Sequence, residues 1–195
     1  MVRMARWEPG ARERLVLAAV DLFAEQGYDA TNVTQIAERA GVTKSTFFRY
    51  FPDKRDLLVA GQEVLSNLLA EGIAEAPAGS APLDAVAGGL ERASGAMGPL
   101  NHQIGPRIKA AVAASAELQA RDALKSVSMG AAMTAALVAR GLPEPVASLA
   151  AETGLLAFKR GFAEWSQVPE ESAGDLAPYC LNALKELRAA SVALG

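Results

Sequence analysis

Residues 31–58 read TNVTQIAERAGVTKSTFFRYFPDKRDLL, and the fold depends on how that stretch is parsed. Val33, Ile36, Ala37 and Ala40 recur at helical spacing, with Thr31 or Asn32 placed to cap the first amides of the helix. Gly41 supplies a tight turn, Val42 plugs inward, and Thr43 caps a second short helix through Tyr50. Two short helices joined across Ala40-Gly41-Val42 form a helix-turn-helix. In the second helix Phe47 and Phe51 lie four residues apart and face the core. At about 100° per residue, Ser45 and Arg49 then point the opposite way, flanked by Thr46 and Phe48. Such a face suits the major groove, where hydroxyls and cations meet base edges and phosphates and an aromatic edge meets a thymine methyl. The same composition also describes a solvated polar face on a surface helix, so the pattern alone leaves both open.

Outward from that stretch the chain is helical throughout. Leu15, Ala19, Leu22 and Phe23 give a first helix from about Glu8 to near Gly27. After Pro52-Asp53 the apolar positions Leu57, Leu58, Val64, Leu65, Leu68, Leu69 and Ile73 predict one long amphipathic helix from Lys54 to Glu75. Linker-like composition follows at 76–82. Further helices are predicted over 83–97, 106–114, 116–140, 145–167 and 175–193, with stops at Gly98-Pro99, Gly141-Leu142-Pro143 and Val168-Pro169. No strand alternation and no internal repeat appears. The expectation is an all-α chain of about nine helices.

Composition narrows the chemistry. Of 195 residues, 41 are Ala, which favours helix because Ala loses no rotamer entropy on becoming helical. A single Cys, Cys180, excludes an internal disulfide framework and Cys-based metal clusters, and a single His, His102, excludes the His-pair metal motifs. There is no GxGxxG, no P-loop and no HExxH, so no metal site, no cofactor and no enzymatic activity are expected. No run of about 18 apolar residues is present, so no membrane partner is expected. The apolar run Leu15–Val20 stops at Asp21, too short for a signal core, and the chain reads as cytoplasmic. The net charge of −3 does not announce nucleic acid, but between Arg39 and Arg55 five basic residues (Arg39, Lys44, Arg49, Lys54, Arg55) meet one acid, Asp53.

Residues 30–58, with the preceding Phe23-Ala24-Glu25-Gln26-Gly27-Tyr28, resemble the DNA-binding domain of the TetR family of regulators. The resemblance covers roughly residues 11–58. It implies a three-helix, homeodomain-like helix-turn-helix domain over 1–53, a connecting helix over 54–76, and a helical-bundle ligand-binding and dimerisation domain over 77–195. It implies a homodimeric repressor on palindromic double-stranded operator DNA, released by a small hydrophobic molecule. By the same resemblance Lys44, Ser45, Thr46 and Phe48 sit where the family reads bases, and Tyr50 and Lys54 at common phosphate-contact positions. Thr31 and Thr34 open the preceding helix, Thr43 is the usual helix-start hydroxyl, and Arg49 completes the outer face. Ser45 stands where Gly is frequent and Phe48 where Tyr is frequent, changes that bear on which operator is read.

Residues 108–165 are similar to actinobacterial-type members of the family, some of which bind fatty acyl-CoA or other hydrophobic ligands. No aromatic residue occurs between Pro52 and Ala157, and Met97, Ile104, Ile108, Met129, Met133, Phe158 and Phe162 are the candidate ligand-lining residues, with fatty acids and acyl-CoA as candidate ligands. The last two helices carry Leu149, Leu156, Leu181, Leu184 and Leu187, apolar surface for a core and for a partner copy. A helical small-molecule-binding module or enzyme that keeps a non-reading helix-turn-helix is the competing class. The basic Lys44–Arg55 run and the capping pattern favour the regulator.

Overall fold

The structure is a computed structural model and describes residues 10–59 and 62–193. Among the described residues there are eleven helices and no strand: α1 (Ala11–Gln26), α2 (Val33–Arg39), α3 (Lys44–Tyr50), α4 (Asp56–Val59), α5 (Gln62–Glu75), α6 (Pro82–Gly95), α7 (Pro99–Ala113), α8 (Ala116–Ala139), α9 (Glu144–Trp165), α10 (Glu170–Ala173) and α11 (Ala177–Ala193). The helix expected over 54–75 is described as α4 and α5, on either side of residues 60–61, which lie outside the described residues, and the single turn α10 adds one to the nine expected. The described residues form two compact units: 10–59 with 107–119, and 62–106 with 120–193.

Three boundaries differ from expectation for local reasons. The predicted start at Glu8 lies outside the described residues, and α1 opens at Ala11 with the Gly10 amide donating to Glu13 Oε2 at 3.1 Å. The helix expected from Lys54 begins at Asp56. Ahead of it the Asp53 amide donates to Asp56 Oδ2 at 3.0 Å and the Arg55 amide to Asp53 Oδ1 at 2.6 Å, which holds residues 53–55 in a turn. The helix expected from Pro106 begins instead at Pro99, because Pro is tolerated at a first helical position and Asn101 Oδ1 takes the Gly98 amide at 3.0 Å. Pro106 then lies inside α7, at the residue where the helix passes from one unit to the other.

In the first unit Leu15, Ala19, Val20, Phe23, Ile36, Ala37, Phe47, Phe51 and Leu57 are buried. Burying each large apolar side chain contributes about 1.5–3 kcal/mol against chain entropy, so this small core depends on nearly all of them. Arg14 Nε donates to the Ala40 carbonyl at 3.1 Å and joins α1 to the end of α2. Within this unit, Arg107 of α7 also reaches Asp21 of α1 at 2.7 Å.

The second unit is built on α5, α6, α9 and α11 around Leu69, Ile73, Val86, Leu90 and Leu155, with Met133 and Leu137 of α8 in the same core. Val64 departs from the expected stripe and is exposed. The α5 and α6 backbones touch: a Cβ on Gly72 would stand 2.4 Å from the Gly88 carbonyl oxygen and 2.7 Å from Gly89 Cα. Arg92 of α6 pairs with Glu71 and Glu75 of α5, and Arg140 caps the end of α5 through the carbonyls of Ala74, Ala76 and Pro77.

Candidate nucleic-acid interface

The α2–turn–α3 segment is fixed by caps that its sequence dictates. Asn32 Oδ1 accepts the Gln35 amide at 3.0 Å while Gln35 Oε1 accepts the Asn32 amide at 2.9 Å, a reciprocal capping box. Asn32, rather than Thr31, is therefore the cap of α2. Gly41 sits at φ +66°, the left-handed conformation that the turn needs, and Val42 is half-buried beneath it. Thr43 Oγ1 accepts the Thr46 amide at 3.1 Å and opens α3.

α3 then presents two faces. Phe47 and Phe51 are 0% and 2% exposed, with ring centroids 5.8 Å apart. On the outer side Thr43, Lys44, Ser45, Phe48, Arg49 and Tyr50 are exposed, Phe48 at 48%, and Thr46 is half-buried at the flank. The cations are stacked on aromatics: Lys44 lies 5.9 Å from the Phe48 centroid and Arg49 5.1 Å from that of Tyr50. The hydroxyls of Thr43, Ser45 and Thr46 lie 2.9 Å apart in two pairs. Donors, acceptors, two cations and an apolar edge thus share one surface, as base-edge and phosphate contact requires. Thr34 is exposed on the first turn of α2.

Two expected contact residues are turned inward. Thr31 is 1% exposed, and its hydroxyl donates to the Gly27 carbonyl at 2.8 Å and accepts from Gln26 Nε2 at 3.1 Å. This corrects its expected place on the DNA face: it holds the turn ahead of α2. Lys54 also points into the unit, with Nζ 2.7 Å from the Tyr28 carbonyl oxygen and 2.8 Å from that of Thr31. The basic run is thinner on the surface than the sequence count suggests. Arg39 grips Glu25 through two hydrogen bonds of 2.9 and 2.7 Å, which raises the guanidinium and lowers the carboxyl, and Arg55 is held by Asp53.

The candidate ligand residues do not all come together. Met129, Met133 and Phe158 lie in one core, with Met97 and Phe162 packed against it. Ile104 is buried in the first half of α7, next to Gly105, whose missing side chain leaves room for the Phe162 ring. Ile108 is half-buried in the other unit. An open groove of about 410 Å³ runs instead along α9, lined by Leu149, Glu152, Thr153, Leu155, Leu156 and Lys159, none of them among the seven. Of the expected seam leucines, Leu149 and Leu156 are exposed, Leu181 and Leu187 half-buried, and Leu184 buried. Glu152 and Lys159 were not singled out by sequence, since isolated charges on a long helix carry no periodic signal.

A capped helix-turn-helix with an exposed polar second helix is the arrangement in which DNA-reading domains place a helix in the major groove. Residues 15–60 match the model of the family described as bacterial regulatory proteins, tetR family. The chain is 34% identical over 84 residues to the HTH-type transcriptional regulator TcmR of Streptomyces glaucescens, covering 43% of this chain and 37% of that protein. It is 34% identical over 65 residues to the HTH-type transcriptional activator FasR of Mycolicibacterium smegmatis, covering 33% and 30%. The matches thus span about a third of the length of these relatives. Along nearly its whole length the fold is like that of SmeT in its triclosan complex, with TM-score 0.59, 19% identity, and coverage of 92% of this chain and 90% of that one. No described helix is long and apolar enough to cross a membrane.

Proposed function

We propose that the protein is a ligand-responsive, DNA-binding transcriptional regulator that acts as a homodimer on a twofold-symmetric operator in the cytoplasm. The observation that carries this reading is the outer face of α3, where Lys44, Ser45, Phe48 and Arg49 are exposed around a helix anchored by buried Phe47 and Phe51. One such helix reads only a few base pairs, so useful specificity needs two half-sites related by a dimer axis. Lys44, Ser45, Thr46 and Phe48 read bases, Arg49 joins them, and Thr34, Thr43 and Tyr50 meet the backbone. Residues 1–53 do the reading, 54–76 connect, and 77–195 bind ligand and partner. The exposed Leu149 and Leu156 supply apolar surface for the second copy.

The ligand is a small hydrophobic molecule, with fatty acids and acyl-CoA the first to test. Met97, Met129, Met133, Phe158 and Phe162 support this, being adaptable or aromatic side chains gathered about one core. The ligand lowers operator affinity, the action of a repressor's inducer, by binding better to the DNA-free form, with a coupling of typically 1–3 kcal/mol. Selection of bound fragments from random duplex DNA, repeated with fatty acids, acyl-CoA and unrelated hydrophobic drugs, tests the reading. A near-palindromic consensus whose recovery falls with one of these ligands supports it. Recovery of no sequence above background refutes DNA reading, and indifference to every ligand refutes the switch.

A further inference from the structure

We propose that Lys54 is a positioning residue of the helix-turn-helix, whose ammonium latches the turn ahead of α2 to the turn after α3, instead of neutralising a phosphate. This rests on the DNA-binding reading above. The ammonium carries three N–H donors, and two of them are directed to the carbonyls of Tyr28 and Thr31 at 2.7 and 2.8 Å. The Tyr28 ring lies 4.1 Å from Nζ, itself buried and packed on Phe23 at 5.1 Å between centroids. Carbonyl oxygens and a ring face thus hold the cation from within the unit.

Both ends of the latch bear on the reading helices. Thr31 is bonded to Gly27 and immediately precedes Asn32, the cap of α2, so the two carbonyls fix where α2 starts. On the other side Lys54 follows Phe51 by three residues, and Phe51 is locked against Phe47 in the core face of α3. Without the latch, the turn before α2 and the end of α3 lose a shared anchor, and the outer face of α3 loses its fixed aim. With two of its three donors committed inside the unit, Lys54 has at most one left for a phosphate, whereas Lys44 and Arg49 stand exposed on the outer face.

The test compares wild type with Lys54→Met and Lys54→Arg on a selected operator and a scrambled duplex. Measurements run across a salt series, at a temperature where circular dichroism shows all three folded. The expected result is an operator affinity about tenfold lower in Lys54→Met, with scrambled-duplex affinity and the slope of log K against log salt unchanged. Lys54→Arg behaves the same way, because a planar guanidinium fork does not fit between the two carbonyls, while it would serve a phosphate at least as well. Equal loss on both duplexes with a slope shallower by about 0.9 overturns the proposal in favour of a phosphate contact. Unchanged operator affinity with only a lower melting temperature overturns it in favour of a staple with no part in reading. If wild type binds no duplex, the DNA-binding reading fails and takes this inference with it. Wild-type binding with phosphate-like variants sinks the inference alone.

Discussion

Gly72→Ala puts one methyl group where α5 and α6 touch. Its Cβ stands 2.4 Å from the Gly88 carbonyl oxygen, 2.7 Å from Gly89 Cα and 2.8 Å from the Gly88 carbonyl carbon, all of them backbone atoms that no rotamer change can move. Ordinary contact begins near 3.4 Å, so the helices must part by about 1 Å. An opening of that size forfeits a quarter to a half of the dispersion attraction across the seam. The seam is lined by Leu69, Ile73, Val86 and Leu90, each 0% exposed. Overpacking costs about 1–3 kcal/mol, and the lost contacts add to it, while replacing a helical Gly by Ala returns up to about 1 kcal/mol. The net expectation is a loss of about 2–3 kcal/mol. At about 2–4 °C per kcal/mol for a chain of this size, the melting temperature falls by about 4–12 °C. Gly95→Ala is the control: it sits at the end of α6 with nothing within 4 Å of its Cβ, and it should leave the melting temperature equal or slightly higher. Thermal melts followed by circular dichroism at 222 nm decide the matter. A Gly72→Ala protein as stable as wild type would refute the tight α5–α6 approach.

Thr31→Val keeps the shape of a side chain that is 1% exposed but removes its bond to the Gly27 carbonyl, so stability should fall by about 1–3 kcal/mol in urea unfolding, with base preference on selected duplexes unchanged. Burial pushes the Cys180 thiol up to about 11 from an ordinary value near 9, with the Ser94 hydroxyl acting the other way. The folded chain therefore holds the proton longer than the unfolded one: the thiol's contribution is intact below pH 9 and is lost as pH rises towards 11. Wild type should lose about 2–3 kcal/mol more stability over that interval than Cys180→Ala in pH-stepped urea titrations, and an equal loss in both would refute the burial argument.

The helix-turn-helix was legible in the sequence because each of its parts is local. Asn32 with Gln35, Gly41, Thr43 and the Phe47/Phe51 pair act within four residues of one another, and the structure uses them as caps, turn and anchors. The fates of Thr31 and Lys54 were not legible: a hydroxyl or an ammonium written in sequence points nowhere until distant carbonyls arrive, and the carbonyl that takes Lys54 lies 26 residues away. The thinning of the basic face has the same origin, since Glu25 reaches Arg39 across 14 residues. Pro99 and Pro106 misled because Pro marks a stop, a start and a tolerated interior position with the same letter. Apolar periodicity separates core from surface, but it does not say which core residues face one another, and Ile108 falls with the other unit.

In the proposed function the outer face of α3 reads the operator. The most direct measurement is the base-preference profile and operator affinity, by fluorescence anisotropy on single-substituted duplexes, of Ser45→Ala and Arg49→Ala beside wild type. Ser45→Ala should change base preference at one or two operator positions, and Arg49→Ala should lose affinity about 10–100-fold, the range that a lost base contact commands. Profiles and affinities indistinguishable from wild type in both variants would contradict it.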